Sequence, residues 1–208
     1  MHTLFVLDLS DTLIGRGPTP FAMPVQKVSY KFTARLPASQ ENAFRWATDY
    51  RSGDFDLMGL QARRRVKVLT PDTILLTDTF SSDPFGPTPG GRTVKVKLVH
   101  IYPSRWAWTS THLSGPARHS QFLYELIPIG WNSCRLKYTG NQVERVPRAP
   151  TSAHLAHRAR ILRKEDSDIW RHLAQAMRKD LARPTKSRRK SPRNAGSKRL
   201  RTPSVASA

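Results

Sequence analysis

From Lys27 the chain alternates apolar and polar residues with a period of two. In KVSYKFTARL, Val28, Tyr30, Phe32, Ala34 and Leu36 are separated by Ser29, Lys31, Thr33 and Arg35. That is the pattern of a half-buried strand with one face in water. Pro37-Ala38-Ser39 ends it, and Ser39 suits the N-cap of a short helix through Glu41, Ala43, Phe44 and Ala47. A second short helical piece is expected to run on to about Leu60.

Six further strands are predicted at approximately 62–69, 73–81, 92–102, 105–113, 119–128 and 132–143. Turn chemistry separates them: Thr70-Pro71-Asp72, a Pro/Gly-rich stretch over 82–91, Pro103-Ser104, Gly115-Pro116 and Gly130-Trp131-Asn132. Pro147 and Pro150 close the strand region. The one long helical pattern covers 152–182, where Leu155, Ala159, Leu162, Asp166, Ile169, Leu173 and Ala176 or Met177 recur at spacings of three and four. A run of antiparallel strands must curl and bury one face, and this helix is the only element long enough to cover it. The expected architecture is α+β: a curved seven-stranded antiparallel sheet wrapped around a long C-terminal helix, with two short helices after the first strand.

Charge divides the chain differently. Its 208 residues carry a net +20, and residues 183–208 hold nine Lys and Arg and no acid. That tail has almost nothing to bury and is expected to be disordered. Without it the body is still basic. Met1 to Gln26, rich in Gly and Pro toward its end, reads as a leader. The organisation expected is therefore a leader over 1–26, a folded domain over 27–182 and a basic tail over 183–208.

Composition removes several classes. A single cysteine, Cys134, excludes a disulfide framework and a paired-CxxC zinc site. No apolar stretch approaches the ~18 residues of a membrane helix, and the acid-bearing N-terminus makes a poor signal peptide. A soluble protein of a reducing, cytoplasmic setting is expected. His154 and His157 lack a further ligand cluster, so neither a metal nor a cofactor is expected. FVLDLSDTLIG resembles the first motif of haloacid-dehalogenase-type phosphatases, with Asp8 and Thr12 in place. Ser10 stands where that motif has its second Asp, which removes the acid/base group.

If apolar residues face inward, the inward set is even-numbered in every strand. It would hold Val28, Tyr30 and Phe32; Val66 and Val68; Ile74, Leu76, Asp78 and Phe80; Val94, Val96, Leu98 and His100; Trp106, Trp108, Ser110 and His112; Phe122, Tyr124 and Leu126; Cys134, Leu136 and Tyr138. Keeping that parity needs odd-length loops, such as Pro103-Ser104-Arg105 with Tyr102 opposite Trp106. The inward list is unusually polar. Asp78, His100, Ser110, His112 and the hydroxyls of Tyr30, Tyr124 and Tyr138 would each cost roughly 1–3 kcal/mol if buried without partners. A solvated or ligand-filled cavity accounts for them. The candidate lining residues are thus Tyr30, Phe32, Asp78, His100, Trp106, Trp108, Ser110, His112, Tyr124, Tyr138 and Asp166. An exposed strand-end position for the histidines, and a rim position for Asp78, stay open.

Asp166 interrupts the apolar stripe of the last helix. Either it faces the sheet as a ligand anchor or general base with a raised pKa, or the helix tilts and leaves it in water or paired with Arg163. Helix faces read from spacing slip easily, which weights the second reading. Trp106 and Trp108 read as packing that also suits a flat or isoprenoid ligand. Ser82 to Gly91 has the composition of an entrance lid.

The order of elements resembles the helix-grip fold of the SRPBCC superfamily, which includes START lipid-transfer domains, aromatase/cyclases of polyketide synthesis and pollen-allergen-like binding proteins. The resemblance lies in SYKFTARLPASQENAFRWATDY, in RWAWTSTHLSGPARHSQFLYELIP and in the final long helix, from about Gln26 to Ala182. Leu36-Pro37, Ala43-Phe44 and Asp49 match the superfamily's strand, Pro turn and helix. It implies a cavity between sheet and helix for a hydrophobic, aromatic or amphipathic small molecule. Some members bind or transport ligands and a minority catalyse cyclisation or dehydration, so the resemblance leaves open whether this chain is a polyketide cyclase/dehydratase-like enzyme. The other class of function is a basic interaction module. Its tail would contact nucleic acid or anionic lipid weakly and without sequence preference, since no aromatic residue there can stack on bases.

Overall fold

The alternation that begins before Lys27 forms β1 (Val25–Leu36), whose even-numbered residues are buried along almost its whole length. A computed structural model of the chain describes residues 23–58, 60–81 and 91–182. The expected leader up to Ala22, most of the expected lid (82–90) and the tail 183–208 lie outside the described residues.

Ser39 caps α1 (Gln40–Thr48) as expected, its hydroxyl accepting from the Asn42 N–H at 3.3 Å, and the helix buries Ala43 and Phe44. In place of a second short helix there is a single 3-10 turn, Asp56–Met58. Six strands follow: β2 (Ala62–Thr70), β3 (Thr73–Phe80), β4 (Thr93–Tyr102), β5 (Ala107–His112), β6 (Gln121–Gly130) and β7 (Ser133–Arg145). All neighbours are antiparallel, in the order β1-β7-β6-β5-β4-β3-β2. The final helix α2 (Ser152–Ala182) follows Pro150, and Thr151 caps it by accepting from the His154 N–H at 3.2 Å.

Helix α2 buries Leu162, Trp170 and Met177 against the concave face. Polar ties fasten it along its length: Arg158 to Glu144 at 2.6 Å, Asp166 to Tyr30 and Tyr138, and Asp180 to Trp46 Nε1 at 3.1 Å. The hydrophobic core runs from Val28 and Leu36 through Leu126, Leu136 and Cys134 to Leu76 and Val99. At the Cys134 thiol, burial raises the pKa to about 11, which keeps it protonated.

Strand parity holds in β1, β3, β5, β6 and β7 and fails in β4. Leu76 pairs with Lys97 and Ile74 with Val99, so the odd-numbered residues of β4 share the concave face. Val94, Val96, Leu98 and His100 face outward. The connection from Phe80 to Thr93 has even length, which exchanges the faces. The next loop is also even: Tyr102 pairs with Ala107 and not with Trp106, and the faces exchange back. Trp108, Ser110 and His112 therefore point inward as expected, through two inversions that cancel. Val66 and Val68 lie opposite Leu76 and Ile74 on the concave side, yet both are exposed. They sit on the sheet edge opposite β1, the strand on which α2 packs.

Candidate functional site

A cavity of about 1500 Å³ opens between the concave face and α2. One wall is aromatic. Trp108 of β5 and Tyr124 of β6 are cross-strand partners whose rings stack at 4.8 Å and nearly parallel, and Trp170 of α2 closes over both at 6.2 and 5.8 Å. Phe44 backs Trp108 edge-on from α1. Such ring arrays are stiff, because each side chain has only two rotatable bonds and each ring is packed against its neighbours.

The polar feature of the wall is Asp166. It faces the sheet, and its Oδ2 accepts hydrogen bonds from Tyr30 Oη and Tyr138 Oη, both at 2.5 Å. The alternative in which it stays in water or pairs with Arg163 does not occur. Burial raises the Asp166 pKa, and the two phenol donors offset only part of that rise. Burial and the adjacent carboxylate push Tyr30 far above the ordinary phenol value, and burial together with the neighbouring Tyr124 and Asp166 does the same to Tyr138, so both hydroxyls remain donors. Tyr138 is held by Phe32, stacked on it at 4.5 Å, and by the edge of Tyr124. The result is a half-buried carboxyl oriented by two phenols at the edge of an aromatic chamber. It can accept a proton or anchor a polar ligand group.

Across the chamber Ser110 and His112 of β5 also line the space. His112 pairs with Lys97 in the ladder and packs against Phe122 at 5.0 Å. Burial, reinforced by Lys97 and Lys95, lowers its pKa to about 3, so the imidazole is neutral at physiological pH.

Other expected lining residues sit elsewhere. Tyr30 and Phe32 lie in the layer behind Asp166 and Tyr138. Asp78 is fully buried rather than at a rim, with Arg64 Nε at 2.8 Å and Lys97 Nζ at 2.9 Å; burial alone would raise its pKa, but the two cations outweigh it and the carboxyl is held below its ordinary value. Arg64 also reaches Asp54 at 2.9 Å, making a charged floor beneath one end of the chamber. Trp106 belongs to no strand. It closes the β4–β5 loop in the left-handed conformation (φ 50°), rare for a bulky residue, and packs edge-on against Phe44. His100 is a correction: it faces outward and hydrogen-bonds Thr73 Oγ1 at 3.2 Å, because β4 presents its odd-numbered residues to the cavity.

The sequence reading missed Lys97 and Trp170. Lys97 was hidden by the inversion of β4. Trp170 was legible, since Leu162, Asp166, Trp170, Leu173 and Met177 form a continuous stripe; Ile169, assigned to that stripe, is 39% exposed. Among the described residues no group of three His, Cys, Asp or Glu is placed to hold a metal, and no helix is long and apolar enough to cross a membrane.

No family model matches the sequence, and no curated protein matches it. Solved structures do. The Zhui aromatase/cyclase from Streptomyces sp. R1128 superposes with a TM-score of 0.58 at 12% identity, over 75% of this chain and 96% of that one. A START superfamily protein from Mycobacterium smegmatis gives 0.50 at 16% identity, over 74% and 96%. Norcoclaurine synthase from Thalictrum flavum, solved with dopamine and hydroxybenzaldehyde, gives 0.51 at 12% identity, over 84% and 96%. The chain has the helix-grip fold. At these identities the likeness carries the architecture and not an activity. One end of the chamber, where β4 begins and β5 and β7 end, is lined by Val94, the loop Ser114–His119 and Arg145.

Proposed function

We propose that the chain binds an amphipathic, ring-bearing small molecule in the chamber, its flat part against Trp108, Tyr124 and Trp170 and its polar end toward Asp166. One observation carries this reading. A stiff aromatic wall and a half-buried carboxyl held by two phenols face the same 1500 Å³ of space. A solid core does not require Asp166 among apolar neighbours, and the carboxyl costs less there if a ligand or ordered water completes its hydrogen bonds. That structural neighbours include a START superfamily protein, an aromatase/cyclase and a synthase solved with two aromatic molecules supports the same ligand class. Should the bound molecule also react, Asp166 is the proton acceptor the site offers.

The test is native mass spectrometry of protein purified from its own host, followed by titration of tryptophan emission with the co-purified molecule. Tyr124→Phe and His112→Phe should shift the affinity, while removal of 183–208 should not. Silent cavity variants, with binding lost on removal of the tail, would overturn the reading in favour of a basic interaction module.

A further inference from the structure

Far from the chamber, the β6–β7 hairpin ends in a two-residue turn, Trp131-Asn132. Its indole is 97% exposed, the most exposed large hydrophobic group among the described residues. Nothing in such a turn calls for an indole, since tight hairpins favour small residues that accept a positive φ. Ile127 and Ile129 behind it are each 41% exposed. A bulge between Pro128 and Gly130 interrupts the ladder there.

The cations around this tip are arranged at a cost. On the outer face Arg35 is the direct ladder partner of Arg135, and Arg135 is the partner of Ile127. Like charges placed opposite each other across strands repel. Among the described residues neither arginine forms an ion pair. Beside Arg35, a shallow pocket of about 290 Å³ gathers Arg171 and Arg178 from α2. Of these, Arg171 is paired with Asp168 at 2.8 Å. The end of the sheet that carries this protruding indole therefore also carries two arginines at directly opposite ladder positions, neither in an ion pair among the described residues.

We propose that this end docks on an anionic lipid bilayer, with Trp131 and the two isoleucines in the headgroup–acyl boundary and Arg35 and Arg135 on lipid phosphates. Indole rings favour that boundary, and an anionic surface relieves the repulsion between the arginines. The shape selects a bilayer over a protein partner. A protein interface needs a broad, flat, contiguous area of ~800 Å² per side, whereas a single ring projecting from a turn fits a soft surface that closes around it. The proposal does not rest on the ligand reading.

The experiment uses the full chain and vesicles of phosphatidylcholine with and without phosphatidylserine, in parallel sets with brominated acyl chains. The chain should bind the anionic vesicles, and bromine should quench its emission. Trp131→Ser should lower partitioning roughly tenfold and abolish the quenching. Paired Arg35→Gln and Arg135→Gln changes should weaken binding at low salt and leave the quenching of bound protein intact. Absence of vesicle binding would overturn the proposal. So would unchanged binding by Trp131→Ser, which would place the contact in the basic tail. Quenching that survives in Trp131→Ser would come from tryptophans of the chamber and would equally overturn it.

Discussion

Gly140 of β7 lies directly under the ring of Tyr30 on β1: a Cβ at position 140 would stand 2.6 Å from Tyr30 Cζ and 2.9 Å from its hydroxyl oxygen. The glycine serves close approach rather than a special backbone angle. It lets the tyrosine lie flat across the neighbouring strand, so that its hydroxyl reaches Asp166. Gly140→Ala should displace that ring, cost about 1–3 kcal/mol and release Tyr30 from Asp166. Urea unfolding measures the loss. A variant as stable as the parent would show that the ring has room to move.

Asp166 gives the stability a pH dependence of unusual sign. Its folded pKa is raised from 3.8, mainly by burial, so over the interval between those values the folded chain holds a proton that the unfolded chain has released. The group's contribution is complete below 3.8 and is lost as pH rises through the folded value. Asp166→Asn, whose carbonyl can still accept from both phenols, should lack this decline. Its stability relative to the parent should therefore increase with pH across that window. Asp166→Leu should instead destabilise at every pH, since it removes the acceptor that both phenol hydroxyls share.

His112 acts in the opposite direction. Its pKa falls from 6.5 to about 3 because burial and two lysines disfavour the imidazolium. Its contribution is complete above 6.5 and is lost as pH falls toward about 3, with a slope of at most ~1.4 kcal/mol per pH unit. His112→Phe should flatten that slope. Chemical denaturation from about pH 3 to about pH 8, repeated for the two single variants at positions 112 and 166, separates the two contributions.

The floor of the chamber should be intolerant of half-changes. Asp78 is fully buried between Arg64 and Lys97, so Asp78→Asn leaves Lys97 without its carboxylate and Arg64 with Asp54 alone, and should cost about 3 kcal/mol. Lys97→Met leaves the Arg64–Asp78 pair intact and should cost clearly less. Thermal unfolding of both variants distinguishes a structural ion network from a dispensable one.

Much of the frame could be read locally. The alternation in β1 assigned its faces to the last residue, Ser39 marked the helix start, and the final helix could be read over 152–182 from its spacing. Asp166 could be recognised as an anomaly on that helix. Its partners could not, because Tyr30 and Tyr138 are far apart in sequence and meet only through the pairing of Phe32 with Tyr138 and Tyr30 with Gly140.

Local periodicity by itself determined which segments become strands and helices, since each pattern is set by neighbours along the chain. The face that β4 turns to the cavity was decided only in three dimensions. Its two rows are both partly apolar: Val94, Val96 and Leu98 on one, Val99 and Ile101 on the other, so alternation cannot choose between them. The parity of the connections on either side makes the choice. It places Lys97, not Val96, over the cavity, and His100 against Thr73 on the far side of the sheet.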